Sequence, residues 1–273
     1  RIATEPLTRE PLLLAKQYGF SDRQIGTLTG RSIDDIRTLR IQHRIIPMVK
    51  QIDTLAGEFP TTTNYLYMTY HGSTHDVAPE RNAAIVLGSG PYSIGSSVEF
   101  DWSSVQAAST LKKLKKKSVL INYNPETVST DYDMVVRLYF EELTLERVRD
   151  IYEFEQSDGM IVSVGGQIPN SLAKNLADHG VPILGTHPQA IDQAEDRHKF
   201  STLLDTLGIQ QPPWVAAENE QMAVETAEGF GYPVIVRPSY VLSGTAMSVV
   251  FDKEALKISL RRAADISTEH PVV

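Results

Sequence analysis

Residues 231–244 read GYPVIVRPSYVLSG, and upstream of them residues 194–199 read AEDRHK. The apolar run Val234–Val236 predicts a strand that ends by presenting Arg237. An arginine carries a permanent charge and a planar fork of donors suited to phosphate oxygens. Gly244 lets backbone N–H groups come close to an anion. The stretch therefore predicts a lid over a phosphate group, although spacing alone leaves open a plain β-hairpin with one snorkelling arginine.

The composition is that of an ordinary globular protein. Among 273 residues, 41% are hydrophobic and 22% are charged, which allows a sizeable core and two or three domains. A formal net charge of −8 argues against general affinity for nucleic acid, and no apolar run is long enough to predict a membrane span. The absence of cysteine excludes disulfides and thiolate chemistry and fits an intracellular location.

Residues 1–75 are predicted to be mostly helical. Ser21 and Ser32 each open a helix with capping-box spacing, and Gly30 closes the first of these helices. Two short helices joined at a glycine are also the arrangement of a helix-turn-helix DNA reader. The basic residues for such a reader are Arg31, Arg37, Arg40 and Arg44. Nearby aspartates offset much of this charge, so a packing unit that mediates protein contacts is the favoured interpretation.

Residues 82–190 alternate apolar runs with segments of helical period, as in a parallel α/β sheet. The predicted strands are Ala84–Leu87, Val119–Asn122, Met160–Val164 and Pro182–Leu184. The predicted helices are Ser104–Lys113, Thr144–Glu155 and Asn170–Asp178. Beyond this sheet we expect a helix at Lys199–Leu207, a strand at Trp214–Ala216, a helix at Met222–Phe230 and a second hairpin strand at Met247–Phe251.

The turn Gly88–Gly90 follows the first predicted strand and begins like a dinucleotide-binding fingerprint. It lacks a convincing final glycine, and Pro91 stiffens the turn, so it is weak evidence for a nicotinamide cofactor. Because parallel strands end at one edge of a sheet, we expect this turn to lie beside Asn124 and Gly165.

Several runs together resemble the large subunit of carbamoyl phosphate synthetase, with its ATP-grasp fold. They are AEDR at 194–197, VRPSYVLSG at 236–244, GSG at 88–90, EFD at 99–101, NYNPETVSTDYD at 122–133 and GGQ at 165–167. The resemblance covers nearly the whole chain. It implies a partial helical oligomerisation domain at 1–75, a Rossmann-like pre-ATP-grasp domain at 82–190 and the first part of an ATP-grasp domain at 191–273.

The resemblance also assigns roles to individual residues. Arg197 and Arg237 match arginines that contact nucleotide phosphates, with Arg237 the residue acting on the transferred phosphate. Ser243 and Gly244 match the phosphate loop of the ATP-binding site. Glu99 and Glu126 match carboxylates at the end of a carbamate tunnel. The implied cofactors are ATP and Mg²⁺, with the magnesium ligands expected beyond Val273 and none assigned here.

The run NPETVSTD at 124–131 is typical of the second half of that subunit, which phosphorylates carbamate. The implied reaction is ATP plus carbamate giving ADP and carbamoyl phosphate. The run at 137–143 favours the fungal arginine pathway, with pyrimidine biosynthesis left open. A glutaminase subunit or domain is the expected partner, a homo-oligomer is left open, and the compartment is mitochondrial or cytoplasmic. The alternatives are a non-catalytic assembly module or relic fragment, which would use the helical segment for protein contacts, and another ATP-grasp ligase. We expect the 273-residue chain, cut at both ends, to be inactive alone.

Overall fold

A computed structural model describes residues 6–91, 98–217, 219–237 and 247–266, with side chains as far as Arg261. The chain divides into two compact units between Thr186 and His187.

The first unit opens with three helices: α1 (Arg9–Gln17), α2 (Asp22–Thr29) and α3 (Ile33–Gln42). Both predicted capping boxes are present, with Ser21 paired to Gln24 and Ser32 paired to Asp35. Gly30 ends α2 in the left-handed conformation, which glycine adopts without strain. Local sequence signals therefore fixed the start and end of α2 correctly.

The remainder of the first unit is a seven-stranded sheet with its connecting helices. Its elements are β1 (Met48–Gln51), β2 (Tyr65–Thr69), β3 (Ala84–Leu87), α4 (Val98–Lys113), β4 (Ser118–Asn122), a 3₁₀ turn (Val128–Thr130), β5 (Arg137–Phe140), α5 (Leu145–Glu155), β6 (Gly159–Ile161), α6 (Gln167–Asp178) and β7 (Ile183–Leu184). The strand order is β1-β2-β5-β4-β3-β6-β7. Within this seven-stranded sheet the pair β1–β2 is antiparallel, and the other five neighbouring pairs are parallel.

The predicted parallel α/β sheet is confirmed. Strands β3 and β4 occupy its centre and are buried along their whole length, as their continuous apolar runs indicate. Val86, Leu120 and Leu138 from three neighbouring strands pack with Ala108 of α4. This core holds the carboxyl ends of β3, β4 and β6 at one edge.

The prediction that residues 1–75 are mostly helical is wrong for their second half. Residues 48–51 and 65–69 are strands β1 and β2, which join the sheet. Leu66 and Met68 are buried and Tyr67 between them is exposed, which is the alternation of a strand. Strand β5 was also missed, because its run begins with the charged Arg137 and only its two central residues are buried.

Buried ion pairs join the three N-terminal helices to α5. Lys16 contacts Asp22 at 3.0 Å and Glu146 at 2.5 Å. Arg40 contacts Asp22 at 2.8 Å and Asp150 at 3.4 Å. These side chains, except that of the partly buried Glu146, are at least nine-tenths buried. Buried charges are tolerated when each meets an opposite charge and further hydrogen bonds.

A third cation, Arg37, contacts Asp150 at 2.6 Å, so three cations share the carboxylates of Asp22, Glu146 and Asp150. We call these six residues the buried ion cluster. Arg37 and Arg40 are two of the four arginines on which the helix-turn-helix interpretation depends. They are directed into the protein, so they cannot contact a duplex as that interpretation requires.

A loop at residues 71–81 leads from β2 to β3 and covers the outer side of β1. Nδ1 of His75 accepts a hydrogen bond from the Val49 backbone N–H at 3.0 Å. The Asp76 N–H donates to the Val49 carbonyl at 3.0 Å, and the Asp76 carboxylate accepts from the Gln51 N–H at 3.1 Å. The N–H and carbonyl of Val49 and the N–H of Gln51 are thereby paired.

The second unit comprises helices and one hairpin. Its elements are α7 (Pro188–Glu195), α8 (Arg197–Thr206), α9 (Glu220–Phe230), β8 (Val234–Val236), β9 (Ser248–Val250) and α10 (Lys253–Ile266). The predicted hairpin is confirmed, because β8 and β9 pair antiparallel. Val236 and Val250 face a core that includes Val224 of α9 and Leu256 of α10. The predicted strand at Trp214–Ala216 is not formed. It follows two prolines, which cannot donate to a strand ladder.

Replacing Asp150 by Asn should destabilise the first unit strongly. Arg37 and Arg40 would lose a shared carboxylate while remaining buried, at a cost of about 3 kcal/mol or more in the free energy of unfolding. Urea denaturation measures this. The matched control is Asp178→Asn, which removes a half-exposed partner of Lys174 and should cost less than about 1 kcal/mol. Similar losses for the two variants would contradict a decisive role for the cluster.

Glu141 should make stability depend on pH. Burial raises the pKa of its carboxyl group, and the nearby Arg147 and the Met68 N–H offset this only in part. The folded chain therefore holds this proton to a higher pH than the unfolded chain, so the contribution of Glu141 to stability falls as the pH rises above about 4.5.

The test compares unfolding free energies of the wild type and Glu141→Gln across the acid-to-neutral range. Their difference should shift in favour of the variant as pH rises. The exposed neighbour provides the control Glu142→Gln, which also removes one carboxylate. A wild-type advantage that grows with pH would contradict the prediction.

Candidate functional site

A cleft of about 630 Å³ lies within the second unit, between α8, α9, α10 and the hairpin. Its walls are mainly apolar, with Trp214, Val236 and Leu260 among them. Arg197 and Arg237 also line it, so both arginines singled out in the sequence lie in one cavity. The arrangement of apolar walls with a few convergent charged groups is typical of small-molecule sites.

The two guanidinium groups influence each other electrostatically. Partial burial lowers the pKa of Arg197, and the neighbouring positive charge of Arg237 lowers it further. A guanidinium group is a cation at any physiological pH, so the cleft contains two positive charges. Nε of Arg237 is buried and has no hydrogen-bond partner within the described part of the chain. Two adjacent cations and an unused buried donor are suited to binding a polyanion.

The other two predicted residues of this site, Ser243 and Gly244, lie outside the described residues. The structure therefore brings together Arg197 and Arg237 but describes no phosphate loop.

Helix α8 carries Arg197 at its first position. Asp196 caps the helix by accepting from the Lys199 N–H at 3.0 Å. The side chain of Gln211 donates to the Ser201 carbonyl at 2.9 Å, which aligns the following segment with α8. The rings of His198 and Trp214 then meet edge to face, with centroids 5.3 Å apart. Sequence reasoning missed Trp214 as a cleft residue, and its only signal was a large aromatic after two prolines.

A second candidate region is the carboxyl edge of the sheet in the first unit. The Gly90 N–H donates to Oδ1 of Asn122 at 3.0 Å. A Cβ atom on Gly165 would lie 2.5 Å from the Leu87 carbonyl oxygen, closer than atoms can pack. The glycine turn after β3 thus lies beside the ends of β4 and β6, as predicted. In open α/β sheets ligands bind at this edge, where the strand order reverses.

Glu99 and Glu126, the predicted tunnel carboxylates, both lie near this edge and are exposed. Glu99 is in the first turn of α4, and the Glu126 N–H donates to Oδ1 of Asn124 at 3.1 Å. The two supporting segments are joined by Asp101, which accepts from the Ser129 N–H at 3.2 Å. Asp101 is 2% exposed, and its second oxygen has no partner in the described ranges. Sequence reasoning overlooked Asp101 as a connecting residue.

Metal ligands are not evident in the described part of the chain. No group of three or more histidine, aspartate or glutamate side chains is arranged there to hold a metal ion. Within the described ranges, none of the helices is long and apolar enough to cross a membrane.

Comparison with solved structures shows the same fold elsewhere. The biotin carboxylase domain of 2-oxoglutarate carboxylase from Hydrogenobacter thermophilus, in complex with MgADP and bicarbonate, matches with a TM-score of 0.54 and 15% identity over 69% of this chain and 43% of that chain. Biotin carboxylase from Campylobacter jejuni matches with a TM-score of 0.53 and 17% identity, over 69% of this chain and 44% of that chain. At this identity the likeness concerns the fold alone.

Family models identify the class of protein. Residues 80–193 match the carbamoyl phosphate synthase preATP-grasp domain, and residues 196–271 match the ATP-binding domain of the carbamoyl phosphate synthase L chain. The fold and the cleft are thus those of a preATP-grasp domain followed by an ATP-binding domain. The chain belongs to the family of carbamoyl phosphate synthase large chains.

Curated relatives agree along almost the entire chain. The arginine-specific large chain of Cutaneotrichosporon cutaneum is 55% identical over 269 residues, which are 98% of this chain and 23% of that protein. The mitochondrial ammonia-type carbamoyl-phosphate synthase of Rattus norvegicus is 54% identical over 99% of this chain and 18% of that protein. The chain thus spans less than a quarter of the length of these relatives.

Replacing Gly165 by Ala should destabilise the sheet edge. The added Cβ would clash with backbone carbonyl oxygens of Leu87 and Gly88, which cannot rotate away as a side chain can. We expect a loss of about 1–3 kcal/mol in the free energy of unfolding, measured in urea. The control is Gly229→Ala in α9, where no atom lies near the new methyl group, so stability should be unchanged or slightly higher. Equal changes in the free energy of unfolding of the two variants would contradict the close packing around Gly165.

Proposed function

We propose that this chain is the front part of the carbamate-phosphorylating half of a carbamoyl phosphate synthase large chain. The reaction is ATP plus carbamate giving ADP and carbamoyl phosphate, for arginine biosynthesis or, as the less favoured pathway, pyrimidine biosynthesis. The observation that carries this proposal is that Arg197 and Arg237 line the same cleft, where the buried Nε donor of Arg237 has no partner among the described residues. The arginine-specific relative supports the pathway.

In this proposal the arginines bind and orient the polyphosphate of ATP. A carbamate oxygen attacks the γ-phosphorus, the bond from that phosphorus to the β,γ-bridging oxygen breaks, and ADP departs with the bonding electrons. Negative charge spreads over the transferring oxygens, and fixed guanidinium donors stabilise it without rearranging. The apolar walls of the cleft strengthen these charge interactions by excluding water.

Ser243 and Gly244, which follow Arg237 in the sequence, are proposed to complete the phosphate site. Magnesium is expected with ATP, because phosphoryl transfer uses it to neutralise phosphate charge. The described residues of this chain offer no suitable cluster of carboxylates, so we assign no magnesium ligand to them.

Glu99 and Glu126 are proposed to line the end of a carbamate tunnel in the first unit. Their place beside the glycine-lined sheet edge supports a role in handling a small polar molecule. Asp101 would keep their two segments in register through its bond to Ser129.

Partners and compartment are proposed by analogy with relatives. A glutaminase subunit or domain would supply nitrogen, and the three N-terminal helices would contribute to assembly as part of the oligomerisation domain. The relatives from Schizosaccharomyces pombe and Rattus norvegicus are named as mitochondrial enzymes, which favours that compartment over the cytoplasm.

Arg237→Gln in the full-length enzyme should reduce ATP synthesis from ADP and carbamoyl phosphate about ten- to hundredfold. The loss corresponds to one or two charge-assisted contacts, each about 1.5–3 kcal/mol. Arg237→Lys should recover only part of the rate, because an ammonium group cannot reproduce the bidentate fork. Thermal unfolding should hardly change, since a cleft arginine contributes little to folding.

The control is Arg261→Gln, at an arginine that is 76% exposed and does not line the cleft. Its rate should equal that of the wild type. A normal rate for Arg237→Gln would refute the phosphate site, and an enzyme without nucleotide turnover would favour the assembly-module alternative.

A further inference from the structure

Trp214 contacts the cleft and helix α8 at the same time. Its side chain lines the cleft together with Arg197, while its ring meets His198 with the planes at 88°. Arg197 and His198 are the first two residues of α8. Trp214 therefore contacts the turn of helix that carries the cleft arginine.

The side chain of Arg197 lies close to a second cation. Arg237 lines the same cleft, and its charge adds to the effect of partial burial in lowering the pKa of Arg197, while Glu195 raises that pKa in part. Contacts that fix the first turn of α8 would counteract the residual repulsion between the two guanidinium groups. An edge-to-face ring pair supplies such a contact, with an attraction beyond that of the area it buries.

The segment that carries Trp214 is itself fastened to α8. Gln211 donates to the Ser201 carbonyl and, at 2.6 Å, to the Asp205 carboxylate. The first turn of α8 is also tied to α7 by an ion pair between Lys199 and Asp192, 2.7 Å apart. Trp214 is thus supported by a fixed segment and can act as a rigid wall against the first turn.

We propose that Trp214 is a positioning residue, which through its contact with His198 holds the first turn of α8 so that Arg197 shares the cleft with Arg237. The inference rests on the proposed function only in naming ATP as the ligand. The geometry of α8 can be tested without any ligand.

The first experiment measures a distance in the 273-residue chain. Because the chain has no cysteine, the pair Thr202→Cys on α8 and Glu225→Cys on α9 can be spin-labelled uniquely, and both sites are exposed. Pulsed electron paramagnetic resonance then gives the α8–α9 distance distribution. Trp214→Leu should broaden or shift this distribution, while Trp214→Phe should keep it. The control Phe200→Leu removes an aromatic ring that is also on α8 but outside the cleft lining, and should leave the distribution unchanged.

The second experiment titrates the same chain with ATP and follows the phosphorus resonances, which detect weak binding. Trp214→Leu should weaken binding about tenfold, and it should add no further loss in an Arg197→Gln background, because it acts through that arginine. A circular dichroism melt confirms that each variant is folded.

The outcomes separate the two proposals. An unchanged distance distribution in Trp214→Leu, or a full additional loss of binding in the Arg197→Gln background, would overturn the positioning role. A changed distribution with ATP binding insensitive to both Arg197→Gln and Arg237→Gln would support the positioning role and refute the phosphate site.

Discussion

The first unit depends on a balance of three buried cations and three carboxylates between its helices and α5. Each charge would be costly alone in a dry environment, and the cluster is tolerated because Asp22, Glu146 and Asp150 are shared among Lys16, Arg37 and Arg40. Glu146 lies in the first turn of α5, where a negative charge also suits the helix dipole. Leu143, just before α5, packs close to Gly90. A Cβ atom built on Gly90 would lie 3.6 Å from the Leu143 side chain. The cluster thereby fixes the helix that borders the glycine-lined edge.

Sequence patterns predicted the centre of the fold better than its periphery. The runs of β3 and β4 are continuous and apolar, and they leave little choice of structure. Capping boxes at Ser21 and Ser32 marked helix starts for the same local reason. Strands β1, β2 and β5 are as long as β3 and β4, but their runs mix apolar with polar residues, and they are stabilised by neighbours distant in sequence. No local pattern could reveal that Arg37 and Arg40 turn inward, since their shared partner Asp150 lies more than a hundred residues away.

The residues of the candidate site also divide into those that the sequence predicted and those that it did not. Arg237 follows a recognisable strand, and the resemblance to a known family identified Arg197, so their shared cleft was expected. No sequence pattern revealed the connecting roles of Trp214 and Asp101, because their contacts with His198 and Ser129 arise only when separate elements pack. Residues that bind a ligand can be recognised from their chemistry. Those that hold such residues in place are recognised only from geometry.

The loop at residues 71–81 has a consequence for the behaviour of the chain in concentrated solution. An edge strand with free backbone groups is a template on which another chain can add a strand and begin to aggregate. His75 and Asp76 occupy the outward groups of Val49 and Gln51, so β1 offers an incoming strand few bonds. At the opposite edge, β7 is only two residues long. Both margins of the seven-stranded sheet are thus poor starting points for fibril growth.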